Sequence, residues 1–269
     1  MFGLFPGNCP GFSPEKTYSP SPDPTRLALA ISGAYTEAEK SPWWSAGKDT
    51  YFAESREREL LAEEGRKKYG PSRILRQGDP SRKWIALTFD DGPHPGTTPQ
   101  LLSILKKYNA KATFFLVGMM AEAHPDLVLE ESRAGHLIAN HTYHHVNLLK
   151  IPEKYIGVEL ETCSLILEDI TGKKPRFFRP PGGNYSPAVR KIAGGLGYTT
   201  VLWTNNPGDW AGAGNRSVEA KLMRRLSRGG IILLHDGVQG TLEILPKILS
   251  SLKRQGYSFV TVDEYLKVL

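Results

Sequence analysis

From Lys83 onward the chain alternates short apolar runs with longer segments in which apolar residues recur at helical spacing. The runs cover residues 85–89, 112–117, 136–140, 177–179, 198–203, 231–234 and 257–261, each of strand length. Helical periodicity occupies 99–108, 126–134, 152–171, 187–196, 218–226 and 241–255. Such alternation predicts parallel strands with right-handed crossovers, hence an α/β barrel or an open doubly wound sheet. The pattern alone does not separate the two.

The first 82 residues read differently. Six of the 20 prolines fall within residues 1–24, which predicts a stiff linker or a strap across a surface. Asp23 and Thr25 flank Pro24 as a helix start for 26–39, and a second helix fits 49–69, stopped by Gly70 and Pro71. Three regions follow: 1–24 as linker, 25–82 as a helical extension packed on the remainder, and 83–269 as the chemistry-bearing domain. No repeat and no sustained heptad register is present.

Composition narrows the class. With 40% hydrophobic and 23% charged residues the chain is ordinary globular protein, and no apolar stretch approaches the ~20 residues that span a bilayer. Residues 1–10 have neither a basic start nor an apolar core of signal length. The expectation is a cytoplasmic location, or an extracytoplasmic, wall-associated one if a leader has been removed. Lys and Arg match Asp and Glu at 11 each in residues 1–80, so the +6 excess belongs to the rest of the chain, at 23 against 17. That excess fits docking near an anionic wall or glycan, and nothing resembles a nucleic-acid module. Cys9 and Cys163 fit no metal spacing; separate thiols are expected, with a disulfide as the alternative.

Candidate chemistry sits where the apolar runs end. Asp90 and Asp91 follow the first run and precede Gly92-Pro93. Two adjacent carboxylates repel unless a cation stands between them, although a lone Asp-Asp in a turn is commonly just solvated. His141 and His145 are four apart, so on one face of a helical turn they can offer two imidazoles to one ion; a structural histidine cluster is the plainer alternative. His144 falls on another face. Arg179 ends the fourth run before Pro180 and Pro181, Asp209-Trp210 closes a loop after the fifth, and His235-Asp236 follows the sixth. Charged groups at the ends of several strands are how an α/β barrel assembles one site from many loops.

In order, TFDDGP, HTYHH, RPPGG, DW and LLHD resemble the five motifs of the polysaccharide deacetylases, the NodB-homology domain of carbohydrate esterase family four. The resemblance covers about 83–269. It implies a distorted (β/α)7 barrel and a hydrolase that removes N-acetyl groups from GlcNAc residues of peptidoglycan or chitin-type glycans. O-acetyl groups on xylan or another sugar are the alternative substrate, and a non-catalytic glycan-binding barrel is a further one. It also implies one divalent ion, zinc first with cobalt or nickel as alternatives, on Asp91, His141 and His145. By the same resemblance Asp90 is the general base aimed by Arg179, His235 the general acid, and Asp209 its charge partner. Gly182 supplies a backbone donor to the oxyanion, while Trp210 and Leu233 wall the acetyl pocket. Two positions depart from the family pattern: Gly182 stands where an aromatic residue is frequent, and Asn206 where an Asp is common. The first predicts an open groove. An iron oxygenase also uses two His and a carboxylate, but gives no work to Asp90, Arg179 and His235.

Overall fold

The structure, a computed structural model, describes residues 41–48, 72–212 and 214–267. The proline-rich segment, the expected helices 26–39 and 49–69, and Cys9 lie outside the described residues. Strands β1 (Ile74–Leu75), β2 (Trp84–Asp90), β3 (Thr113–Leu116), β4 (Leu137–Asn140), β5 (Phe177–Phe178), β6 (Thr199–Val201), β7 (Gly230–His235) and β8 (Ser258–Val260) share one sheet. Its order is β1-β6-β5-β4-β3-β2-β7, with β8 added beside β2, and every paired strand is parallel. An isolated bridge between Asn205 and Ile232 links the segment after β6 to β7 and brings the ends of the sheet together. All seven expected strands are present. The short strand β1 is additional: residues 74–75, expected in a helical extension, pair instead with Thr200 and Val201 of β6.

Helices α1 (Thr98–Lys107), α2 (Gly118–Ala123), α3 (Pro125–Arg133), α4 (Glu153–Thr171), α5 (Pro187–Gly195), α6 (Asn215–Arg224), α7 (Gln239–Arg254) and α8 (Val262–Leu266) connect and cover the strands. Their ends follow local chemistry. Ser186 accepts the Val189 N–H at 3.3 Å and Pro187 takes the first turn of α5, while Gly172 closes α4 in the left-handed region at φ 70°. Thr261 and Glu264 form a capping box on α8.

The barrel interior draws Leu75, Ala86, Phe115, Ala139, Phe177, Val201, Ile231 and Val260 from the eight strands. Val262 and Tyr265 of α8 close its floor, and the Tyr265 hydroxyl donates to the Gly230 carbonyl at 2.9 Å. Because the strands are parallel, their carboxyl ends share one face. Asp90, Asn140, Phe178 and His235 end β2, β4, β5 and β7 there.

Candidate active site and metal centre

Asp90 is the last residue of β2 and Asp91 the first beyond it, and the backbone turns sharply between them. Asp91 takes φ 73°. Both carboxylates approach His141 Nε2, Asp90 Oδ2 at 3.6 Å and Asp91 Oδ1 at 3.5 Å, but their other partners differ. Asp90 Oδ1 accepts from Arg179 Nη1 at 2.6 Å, both residues being buried. Arg179 also donates to Thr88 Oγ1 at 2.8 Å and to the carbonyls of Val201 and Leu202 at 3.3 Å, and its guanidinium stacks 4.1 Å over Phe115. Five contacts on three sides fix the cation, so the Asp90 oxygen it holds is fixed too.

Asp91 faces the histidines. Its Oδ1 lies 3.1 Å from His145 Nε2 and 3.5 Å from His141 Nε2, and the three donor atoms fall within 4.8 Å of one another. That oxygen is buried and no hydrogen-bond donor is aligned on it. Burial pushes the Asp91 carboxyl up, but the two imidazoles outweigh it and hold it well below the ordinary carboxylate range. His141 Nδ1 sits 2.7 Å from the Arg179 carbonyl, which can only accept; the proton on Nδ1 leaves Nε2, the atom turned to Asp91, as the ligating nitrogen once the ring is neutral. A buried carboxylate oxygen with two imidazole nitrogens turned toward it fits a divalent cation with room for water and substrate.

His141 and His145 converge by a different route from the helical turn expected of their spacing. Residues 141–145 are an irregular loop in which Thr142 takes φ 70° and His145 φ 57°. Glu159 of α4 holds this loop from behind: its Oε2 accepts the N–H groups of Tyr143 at 3.0 Å and His144 at 2.9 Å, and its Oε1 pairs with His144 Nδ1 at 2.7 Å. His144 is therefore turned into the protein. Trp44, buried in the helical stretch 42–48, stacks on Tyr143 at 5.6 Å and edges against His144 at 4.9 Å.

Across the site, His235 Nδ1 donates to Asp209 Oδ1 at 2.8 Å, while Asp209 Oδ2 accepts the His235 N–H at 2.8 Å and the Thr241 hydroxyl at 2.6 Å. Burial alone would lower the imidazole pKa, but the bond and charge of Asp209, with Asp91 and Asp90 behind, push it up to about 9. A protonated imidazole with one nitrogen tied and the other directed outward suits a proton donor. Trp210, half exposed, stands edge-on 6.5 Å from that ring, and Leu233 is buried two residues before it. Gly182 lies in a turn at Pro181–Gly183 with φ 64°. Asn206 caps its own loop by accepting the Gly208 N–H at 3.0 Å.

A polysaccharide deacetylase family profile matches residues 77–201. A peptidoglycan-N-acetylglucosamine deacetylase of Bacillus cereus is 42% identical over 192 residues, covering 70% of this chain and 90% of that protein. The chain belongs to the polysaccharide deacetylase family. A second relative, the peptidoglycan-N-acetylmuramic acid deacetylase PdaC of Bacillus subtilis, is 33% identical over 71% of this chain, which spans only 40% of that longer protein. Among solved structures, a peptidoglycan N-acetylglucosamine deacetylase bound to 4-naphthalen-1-yl-N-oxidanyl-benzamide aligns with a TM-score of 0.70 at 34% identity, covering 75% of this chain and 94% of that one. The barrel fold is thus that of the family.

Within this deacetylase the motifs single out the residues that face the site, and Arg179 and Asp209 that hold two of them, but not the remaining supports. Glu159, Trp44, Thr88 and Thr241 were not foreseen. Glu159 had one detectable signal: it shares the helical face of Ile156 and Cys163, both buried, where a carboxylate needs partners.

Proposed function

We propose that this deacetylase removes N-acetyl groups from GlcNAc residues of a cell-wall glycan, peptidoglycan ahead of chitin-type oligosaccharides, and works outside the cytoplasm. One observation carries the reading. Asp91, His141 and His145 form a compact donor set, the Asp90–Arg179 pair adjoins it, and the His235–Asp209 pair lies across the same barrel face. Zinc is the first choice for the ion on chemistry of one carboxylate and two imidazoles, with cobalt or nickel as substitutes. When bound, the cation supplies a Lewis acid for the acetamide carbonyl and for the water that attacks it.

The chain's own groups divide the remaining work. Asp90, aimed by Arg179, takes a proton from water as the water oxygen bonds to the acetamide carbon. The Gly182 N–H receives the oxyanion that forms. His235 gives its outer proton to the nitrogen as the C–N bond breaks, leaving acetate and a free amine. Asp209 keeps that imidazole protonated and correctly turned. Trp210 and Leu233 bound the space for the acetyl methyl.

The test is a mass-spectrometric comparison of peptidoglycan fragments, chito-oligosaccharides and acetylated xylan, each incubated with the protein before and after chelation. Loss of about 42 mass units per event from the first two, abolished by chelation and restored by zinc or cobalt, is the expected result. Loss from xylan alone would move the activity to O-acetyl ester hydrolysis, and full activity after exhaustive chelation would end the metal reading.

A further inference from the structure

Next to Gly182 the barrel face holds a cavity of about 210 Å³ lined by Arg76, Gly182, Gly183, Tyr185, Leu202 and Trp203. Arg76 carries the one charge among these lining residues. It follows β1 directly, Leu202 and Trp203 follow β6, and Gly182 and Gly183 follow β5, so the cavity opens at the carboxyl ends of parallel strands, as the candidate active site does. The two share a wall. Leu202 receives the buried Arg179 through its carbonyl, and the Trp203 ring lies 5.6 Å from the same guanidinium.

Three features make this space a built subsite. Its opening is enforced by backbone, because Gly182 and Gly183 take φ 64° and 71°, and a Cβ would come within 2.7 Å of Asn184 Nδ2 at the first and 2.6 Å of the Trp203 ring at the second. Its cation is oriented by one bond at the surface: the Arg76 Nη2 donates to the Tyr185 hydroxyl at 2.8 Å, and the backbone that carries Arg76 is pinned by the Leu202 N–H bonding to the Leu75 carbonyl at 2.8 Å. Its wall includes the indole of Trp203, a flat apolar face of the kind sugar rings lie against. A guanidinium turned beside an aromatic face suits a planar anion on a sugar scaffold.

We propose that this cavity binds the free carboxylate of an acidic sugar adjoining the residue being deacetylated, as on the lactyl ether of a muramyl unit that carries no stem peptide, and so favours a peptide-free peptidoglycan strand over neutral chitin and over the amide-linked strand. The inference rests on the function proposed above and specifies its substrate. Arg76 is here a specificity residue that touches the glycan away from the reacting bond.

The experiment uses two short GlcNAc–muramyl oligosaccharides, one with free lactyl carboxylates and one with the same groups converted to primary amides. Deacetylation kinetics are measured for the natural protein and for Arg76→Gln, an exposed position where the change leaves the core untouched. The natural protein is expected to prefer the carboxylate form, and Arg76→Gln to reduce that preference about tenfold, through KM rather than kcat. An unchanged preference, or a change confined to kcat, overturns the proposal. Calorimetric binding of the same two glycans to the Asp90→Asn protein tests the subsite without turnover. Equal affinity for both defeats the subsite, whereas preferential binding alongside a natural protein that releases no acetate defeats the function and leaves the subsite standing.

Discussion

Loop 141–145 takes left-handed backbone at Thr142 and His145, neither of them glycine, and is braced by Glu159, Tyr143 and Trp44; loop 180–184 takes the same backbone at Gly182 and Gly183 and is braced mainly by its own turn. Left-handed conformation costs a non-glycine residue about 1–2 kcal/mol, so the first loop persists only because buried partners over-determine it. Glycine removes that cost in the second. One side of the site is rigid through interactions reaching 15 residues away or more, the other open through absence of side chains. A deacetylase needs both: fixed ligands on one side, and on the other a groove that a polymer can enter.

The sharpest way to break the comparison is at the adjacent carboxylates. Asp91→Asn is expected to lower bound metal, read by elemental analysis, whereas Asp90→Asn is expected to keep the ion and lose about 100-fold to 10,000-fold in rate. Reversal of the two metal contents would exchange the roles of the pair.

Glu159→Ala tests the brace itself. It leaves two backbone N–H groups and His144 without their buried acceptor, so we expect a loss of about 2–4 kcal/mol in denaturant unfolding and about 10–100-fold weaker metal binding. A variant that loses stability but binds zinc as the natural protein does would confine Glu159 to a structural part.

The acid side gives a pH signature. With its pKa raised to about 9, His235 is protonated below that value, so kcat/KM is expected to fall as pH rises through about 9. Asp209→Asn removes the principal charge behind the shift and should move this alkaline limb down by about a unit or more. The same sign governs stability. A histidine raised in the folded state stabilises most below its unfolded pKa of about 6.5, and that contribution is lost as pH climbs through about 9.

The smallest effect is expected at Gly182. Gly182→Tyr must hold φ near 64° against Asn184, costing about 1–2 kcal/mol, and should narrow the range of glycans accepted more than it slows a small oligomer. An unchanged substrate profile would detach the open groove from this position.

The same contrast explains what was legible in the sequence. Asp90, Arg179 and His235 follow or end buried apolar runs, so the alternation of strands and helices placed them at one end of a parallel sheet, and the family resemblance made that sheet a barrel. The four-residue spacing of His141 and His145 was visible but misled about geometry, since a helical turn is the default reading and left-handed φ at Thr142 and His145 leaves no mark in residue type. What imposes it is Glu159, one carboxylate in a helix with several other acidic residues. Strand β1 was invisible for another reason: two residues, Ile74 and Leu75, are too few to show alternation, and only pairing with β6 makes them a strand. Trp44 carries no signal of its own in the sequence, because its value lies in what it stacks on.

The barrel floor has a consequence for how the molecule is made. Val260, Val262 and Tyr265 come from the segment synthesised after every other strand, yet they fill the end of a barrel whose walls begin at Leu75. A nascent chain that has emerged only as far as β7 has seven of the strands and the Asn205–Ile232 bridge but no plug, so the apolar lining of Ala86, Phe115 and Ile231 stays open at the floor to water or to a chaperone. Sealing of that end is thereby deferred until β8 and α8 arrive, after the strands that carry Asp90 and His235. During synthesis, therefore, the floor is the later of the barrel's two ends to become ordered.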